Sequence, residues 1–109
     1  MTAKVVAPVA RHVVALIGAE VRAGRLERGW SIRELAERAG VSTATIVKVE
    51  RGDLGVAIGT VMDCAALTGV PLFYDDQSRV EVEAERARAA VLRRRPRRSR
   101  PIDPADLDF

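Results

Sequence analysis

From Pro8 onward, apolar residues recur at helical spacing: Val9, Val13, Leu16, Ile17 and Val21 share one stripe, and the run closes at Arg28-Gly29. Pro8 suits the first turn of such a helix, where its missing N–H costs nothing. Arg25 and Arg28, near the other end, complement the helix dipole. A second helix is marked by Ser31 and Glu34, spaced as a capping box, with Trp30 and Leu35 as the hydrophobic staple around it. Leu35, Ala36 and Ala39 then face inward, and Gly40 ends the element. Ser42 caps a third helix after the short Gly40-Val41 link, with Val41 and Ile46 as its staple pair. Ile46 and Val49 make an apolar stripe that runs to Arg51-Gly52.

A fourth helix is predicted at about Ile58–Thr68, presenting Val61, Met62, Ala65 and Leu67 and stopping at Gly69. Its start is poorly capped, because Ala57 or Gly59 stands where Ser or Asp would serve. The apolar segment Val70–Tyr74 is compatible with a helical turn or a strand. Ser78 and Glu81 form another capping-box pair. Beyond them Val80, Ala84, Ala87 and Val91 lie on a narrow, Ala-rich stripe that reads as a surface for a partner or for the body. After Pro96 the composition is that of a disordered tail. The expected fold is all-α: a compact bundle of four to five helices with a helix-turn-helix, then a C-terminal helix and a tail. The predicted divisions are 8–74 for the helix-turn-helix domain, 75–95 for the helical extension, and 96–109 for an Arg-rich, then acidic, flexible end.

Composition sharpens this picture. At 109 residues and 48% apolar, the chain suits one modest core, and only 4% aromatics argues against a β-sandwich. Cys64 is the one cysteine and His12 the one histidine, so neither an internal disulfide nor a soft-ligand metal site is expected, and no cofactor is implied. No stretch approaches the ~20 apolar residues of a membrane span, and the first residues lack the apolar run of a secretory signal. The expectation is a cytoplasmic protein with no membrane partner. Residues 1–78 balance nine Lys/Arg against nine Asp/Glu, and the whole positive surplus comes from the six arginines of Arg93–Arg100. With one His, one Cys, no Gly-rich phosphate loop and no inward-facing carboxylate pair, an enzyme is not expected.

Two short, separately capped helices joined by a tight turn describe a helix-turn-helix, in which the first helix buttresses and the second presents its N-terminal residues to base edges. Small residues at the turn, Ala39 and Gly40, allow a steep approach, and donors at helix N-termini meet phosphates.

The run "RLERGWSIRELAERAGVSTATIVKVERG" resembles the Cro/phage-repressor class of helix-turn-helix regulators, the XRE family. The resemblance covers roughly Ile17–Phe73 and implies a compact helical bundle that binds double-stranded DNA as a homodimer. Carried over by position, base-contacting roles fall on Thr43, Ala44, Val47 and Lys48, and phosphate-contacting roles on Ser31, Ile32, Thr45 and Arg51. Family members commonly carry Gln where this chain has Ile32, and Arg, Gln or Ser across the reading face. Ala44 and Val47 cannot hydrogen-bond a base; they pack on thymine methyls.

The segment "ALTGVPLF", a following helix, an Arg/Pro-rich stretch and "DPADLDF" are similar to HipB-like antitoxins, which accompany HipA-like kinase toxins. That likeness implies a repressor that regulates its own operon and neutralises a toxin; the alternative is a stand-alone regulator of the XRE type. Arg93, Arg94, Arg95, Arg97, Arg98 and Arg100 read as a DNA arm or as a solvated run of charge. Asp103, Asp106, Asp108 and Phe109 read as a toxin-binding anchor or as an unstructured end.

Blander roles fit the remaining conspicuous residues. Cys64 lies in an apolar helix and reads as a small buried residue, His12 as helix surface, and Trp30 as a staple in preference to a base-stacking group. Glu50 and Arg51 read as residues that orient the third helix or its phosphate contact. Glu81, Glu83 and Glu85 suit a solvated acidic stretch.

Overall fold

The computed structural model describes residues 5–73 and 76–94. These hold five helices: α1 (Pro8–Glu27), α2 (Ile32–Ala39), α3 (Thr43–Glu50), α4 (Ile58–Leu67) and α5 (Gln77–Arg93). The chain divides after Leu72 into two units, the first built from α1 to α4 and the second containing α5.

The first unit is organised by how its helices stop. At Gly40 the backbone turns left-handed, with φ at 68°, and the N–H groups of Gly40 and Val41 return to the carbonyls of Glu37 and Ala36. A residue with a Cβ resists that conformation, so glycine serves as the stop. The same pair of returning hydrogen bonds closes α1 at Gly29-Trp30, α3 at Gly52-Asp53 and α4 at Gly69-Val70. In three of the four closures the residue after the glycine is apolar and folds back onto the core: Trp30 and Val41 pack against it and Val70 is part of it. All four predicted helix stops stand where the glycines are.

The core is aliphatic. Val21 from α1, Leu35 from α2, Ile46 from α3 and Cys64 from α4 are each fully buried, with Val49, Val61 and Ala65 filling between them. Burial pushes the Cys64 thiol above its ordinary pKa, with the Asp63 carboxylate adding to the rise, so it behaves as the packing residue its position suggested. The staples are present as expected, Trp30 and Val41 lying against the core that Leu35 and Ile46 enter. His12 is on the surface.

Two expectations are corrected. The predicted inward stripe of α1 packs only in its second half: Ile17 lies on the core and Val21 is buried, whereas Val9, Val13 and Leu16 are 69%, 49% and 57% exposed. The reason is where the body meets α1. The backbone of Gly52 comes against Ala15, and Val49 O comes against Gly18, so within the first unit α3 ends level with Ala15 and the earlier turns extend past it. The other correction concerns α5. Its cap is Asp76, whose Oδ1 accepts from Ser78 N–H at 3.0 Å and from Ser78 Oγ at 2.8 Å, and the Ser78/Glu81 pair falls inside the helix. A carboxylate next to the positive end of a helix serves this place better than a serine two residues further on.

In the second unit α5 buries no side chain. Two of its three acidic residues are taken up locally, Glu83 with Arg86 and Glu85 with Arg88. Of the predicted Val70–Tyr74 segment, residues 70–73 form neither helix nor extended strand: Leu72 sits in an isolated β-bridge, and Phe73 is 92% exposed with φ at 65°. Tyr74 lies outside the described residues.

Candidate nucleic-acid interface

The two short helices are each fastened at their first turn. Ser31 Oγ accepts from Glu34 N–H at 3.0 Å, and Ser42 Oγ accepts from Thr45 N–H at 3.1 Å. The Ser42 and Thr45 hydroxyls also share a 2.9 Å hydrogen bond, so Thr45 Oγ1 is engaged with the cap. Glu34 in the first turn of α2 and Lys48 in the last turn of α3 both complement the helix dipoles.

Periodicity then sorts the side chains of α3. Ile46 and Val49 are 0% and 2% exposed and anchor the helix. Thr43, Ala44 and Lys48 are exposed and Val47 is half-buried. Thr43 with Val47, and Ala44 with Lys48, stand one turn apart, so these four form an outward ridge opposite the anchors. Among the phosphate positions Ser31 and Arg51 are exposed, and Thr45 and Ile32 are half-buried. The Ile32 side chain packs on the core, which leaves its backbone N–H as its one polar donor. Arg93 and Arg94 are exposed at the end of α5; Arg95, Arg97, Arg98, Arg100, Asp103, Asp106, Asp108 and Phe109 lie outside the described residues.

The orientation of α3 is held by a contact that the dipole argument for Arg25 does not anticipate. Arg25 is 7% exposed, and its Nε and Nη2 donate to the two Glu50 carboxylate oxygens at 2.7 and 3.0 Å, while Nη1 donates to Trp30 O at 2.9 Å. Hydrogen bonding to Glu50 raises the Arg25 pKa above its already high ordinary value, so the guanidinium stays charged. The pattern did carry a signal: Arg25 stands four residues after Val21 and Glu50 four after Ile46, so both charges occupy core-facing positions and need a partner. Arg28 is likewise structural. Its Nη1 donates to Thr68 O at 2.7 Å, tying the end of α1 to the end of α4. Trp30 lies against two guanidinium groups, Arg38 at 4.2 Å and Arg28 at 5.6 Å from the ring centre.

Among the described residues no helix is long and apolar enough to cross a membrane, and no cluster of His, Cys, Asp and Glu has the makings of a metal site. Two capped helices, a glycine turn and an outward ridge on the second helix make this a helix-turn-helix protein of the DNA-binding class. A helix-turn-helix family model matches residues 21–74, from midway along α1 to beyond α4. The chain belongs to the XRE-type helix-turn-helix family and is a DNA-binding transcriptional regulator of that type, a family of regulatory domains and not of enzymes. No curated protein and no solved structure matches it.

Proposed function

We propose that the chain represses transcription by binding duplex DNA as a homodimer, with the outward ridge of α3 in the major groove. Thr43, Ala44, Val47 and Lys48 meet base edges, and Ser31, Ile32, Thr45 and Arg51 meet phosphates. The observation that carries this reading is the division of α3, with Ile46 and Val49 buried while Thr43, Ala44 and Lys48 stand exposed. Lys48 is the donor suited to guanine O6 and N7, Thr43 hydrogen-bonds various base edges, and Ala44 and Val47 pack on thymine methyls. Few donors per copy, on a body whose charges cancel, make one subunit a weak binder; a second copy doubles both the base contacts and the phosphate contacts. Uncovered apolar side chains of the first unit, Val9, Val13, Leu16 and Ile58, supply material for such pairing.

The test is a gel shift on DNA from upstream of the protein's own reading frame. Lys48→Ala should weaken binding about tenfold and relax base preference at one position. Unchanged affinity and unchanged preference would remove the ridge from the groove.

A second task, neutralising a HipA-like kinase toxin, is favoured by the likeness of Ala66–Phe73 and of the stretch after Pro96 to HipB-like antitoxins. In that reading Asp103, Asp106, Asp108 and Phe109 dock on the toxin, and the arginines from Arg93 to Arg100 lie on DNA or on an acidic partner. Removing residues 101–109 should abolish neutralisation and leave DNA binding nearly intact. Toxicity still suppressed by the shortened chain would remove residues 101–109 as the toxin anchor.

A further inference from the structure

Beside the outward ridge of α3 lies a cleft to which three helices contribute. Arg22 and Arg25 enter it from α1, Ile32 from the first position of α2, and Val47, Glu50 and Arg51 from the end of α3. Three guanidinium groups therefore share the cleft with one carboxylate, and that carboxylate is already committed, both of its oxygens accepting from Arg25. Arg22 and Arg51 are exposed and have no ion pair among the described residues. The rest of the lining is apolar, Ile32 and Val47, each half-buried.

Two uncompensated cations on one concave surface with a low-dielectric floor concentrate positive potential there. A guanidinium fork matches two phosphate oxygens at once, and two forks around a single cleft suit a phosphodiester, which is anionic on one side and apolar along its sugars. The N–H of Ile32 has no acceptor within α2 and adds a neutral donor at the positive end of that helix. Arg25 has a part in this without touching the ligand. By occupying Glu50 it keeps the one nearby carboxylate from neutralising Arg22 or Arg51.

We infer that Arg22 is a phosphate-binding residue that, with Arg51, grips a backbone phosphate of the DNA strand bordering the groove that α3 enters. The inference rests on the proposed groove-facing ridge of α3 and adds to it a residue from α1. Arg22 supplies affinity and register and carries no base preference.

The test uses the full chain and fluorescence anisotropy on two duplexes of equal length, one from upstream of its own reading frame and one of scrambled sequence, across about 50–200 mM salt. Arg22→Ala should flatten the plot of log K against log salt by about 0.9 per subunit on both duplexes. It should weaken binding about tenfold at low salt while leaving the ratio between the duplexes unchanged. Arg22→Lys should keep most of the slope. Arg11→Ala removes the same charge from an exposed site on α1 outside the cleft and should keep the wild-type slope. Circular dichroism checks that each variant is folded. A wild-type slope in Arg22→Ala overturns the assignment, and so does an equal loss in Arg11→Ala, which would mark a general charge effect. If Lys48→Ala changes preference while Arg22→Ala matches wild type, Arg22 alone fails. If the wild-type chain binds neither duplex, the groove-facing reading fails and takes Arg22 with it.

Discussion

Arg25 and Glu50 face each other in a two-point ion pair at 2.7 and 3.0 Å, with side chains 8% and 7% exposed. The pair joins the last turn of α1 to the last residue of α3, so the helix that carries the outward ridge is fixed by a directional contact as well as by packing. Removing one partner strands the other charge where water has little access to it. Arg25→Ala and Glu50→Ala should each lower the unfolding free energy by about 3–5 kcal/mol, much of the total for a domain of this size. Replacing both with apolar residues of similar bulk, Arg25→Met with Glu50→Leu, should cost less than either single change. Urea denaturation of the three variants measures this, and a double variant as damaged as the sum of the singles would show that the pair is not a unit.

Gly24 and Gly59 are both helical, and alanine should move them in opposite directions. A Cβ on Gly24 would stand 2.3 Å from Thr68 O, a backbone atom fixed by Arg28, and the ends of α1 and α4 would have to separate. That cost exceeds the propensity gained, so Gly24→Ala should destabilise by about 1–3 kcal/mol. Around Gly59 nothing lies within 4 Å of the added atom. Gly59 is the second residue of α4, so Gly59→Ala should stabilise by at most about 0.5–1 kcal/mol, the difference found in a helix interior. Urea midpoints at unchanged m-value report both signs, and a stabilised Gly24→Ala would refute the close approach of α1 and α4.

Which of these features show in the sequence depends on how local their cause is. The caps at Ser31 and Ser42, the staples at Trp30 and Val41 and the stops at four glycines are settled within a few residues of themselves, and each is legible as a short pattern. The inward edge of α3 follows from the same periodicity, since Ile46 and Val49 are its apolar positions. What the pattern misses is set at long range. Val9, Val13 and Leu16 have the right spacing to be buried, but burial needs a neighbour, and only the meeting of Gly52 with Ala15 shows where α3 ends against α1. Arg25 looks like a dipole residue until Glu50, twenty-five positions on, is brought against it. The cleft around Arg22 draws on three helices, and no window of sequence contains it.

The start of α5 makes the remaining prediction, one of pH. Asp76 caps the helix as a carboxylate, and hydrogen bonds from the Ser78 hydroxyl and then from Ser78 N–H hold its pKa below the usual range for an aspartate. A folded-state value below the unfolded one means that the cap stabilises fully above the unfolded pKa of about 3.9, and that its contribution is lost as pH falls through the lower folded value. The first turn of α5 should accordingly hold from neutral pH down to about 4 and fray only below that. The Ser78 amide proton reports it directly, because its chemical shift follows the charge on its acceptor. Its titration midpoint should lie below that of an aspartate in a short peptide. Asp76→Asn keeps an accepting oxygen and should retain the turn while removing the pH dependence, whereas Asp76→Ala should fray it at every pH. A Ser78 midpoint at the ordinary aspartate value would mean that the carboxylate gains nothing from these donors, and the beginning of α5 would then owe its position to something other than this cap.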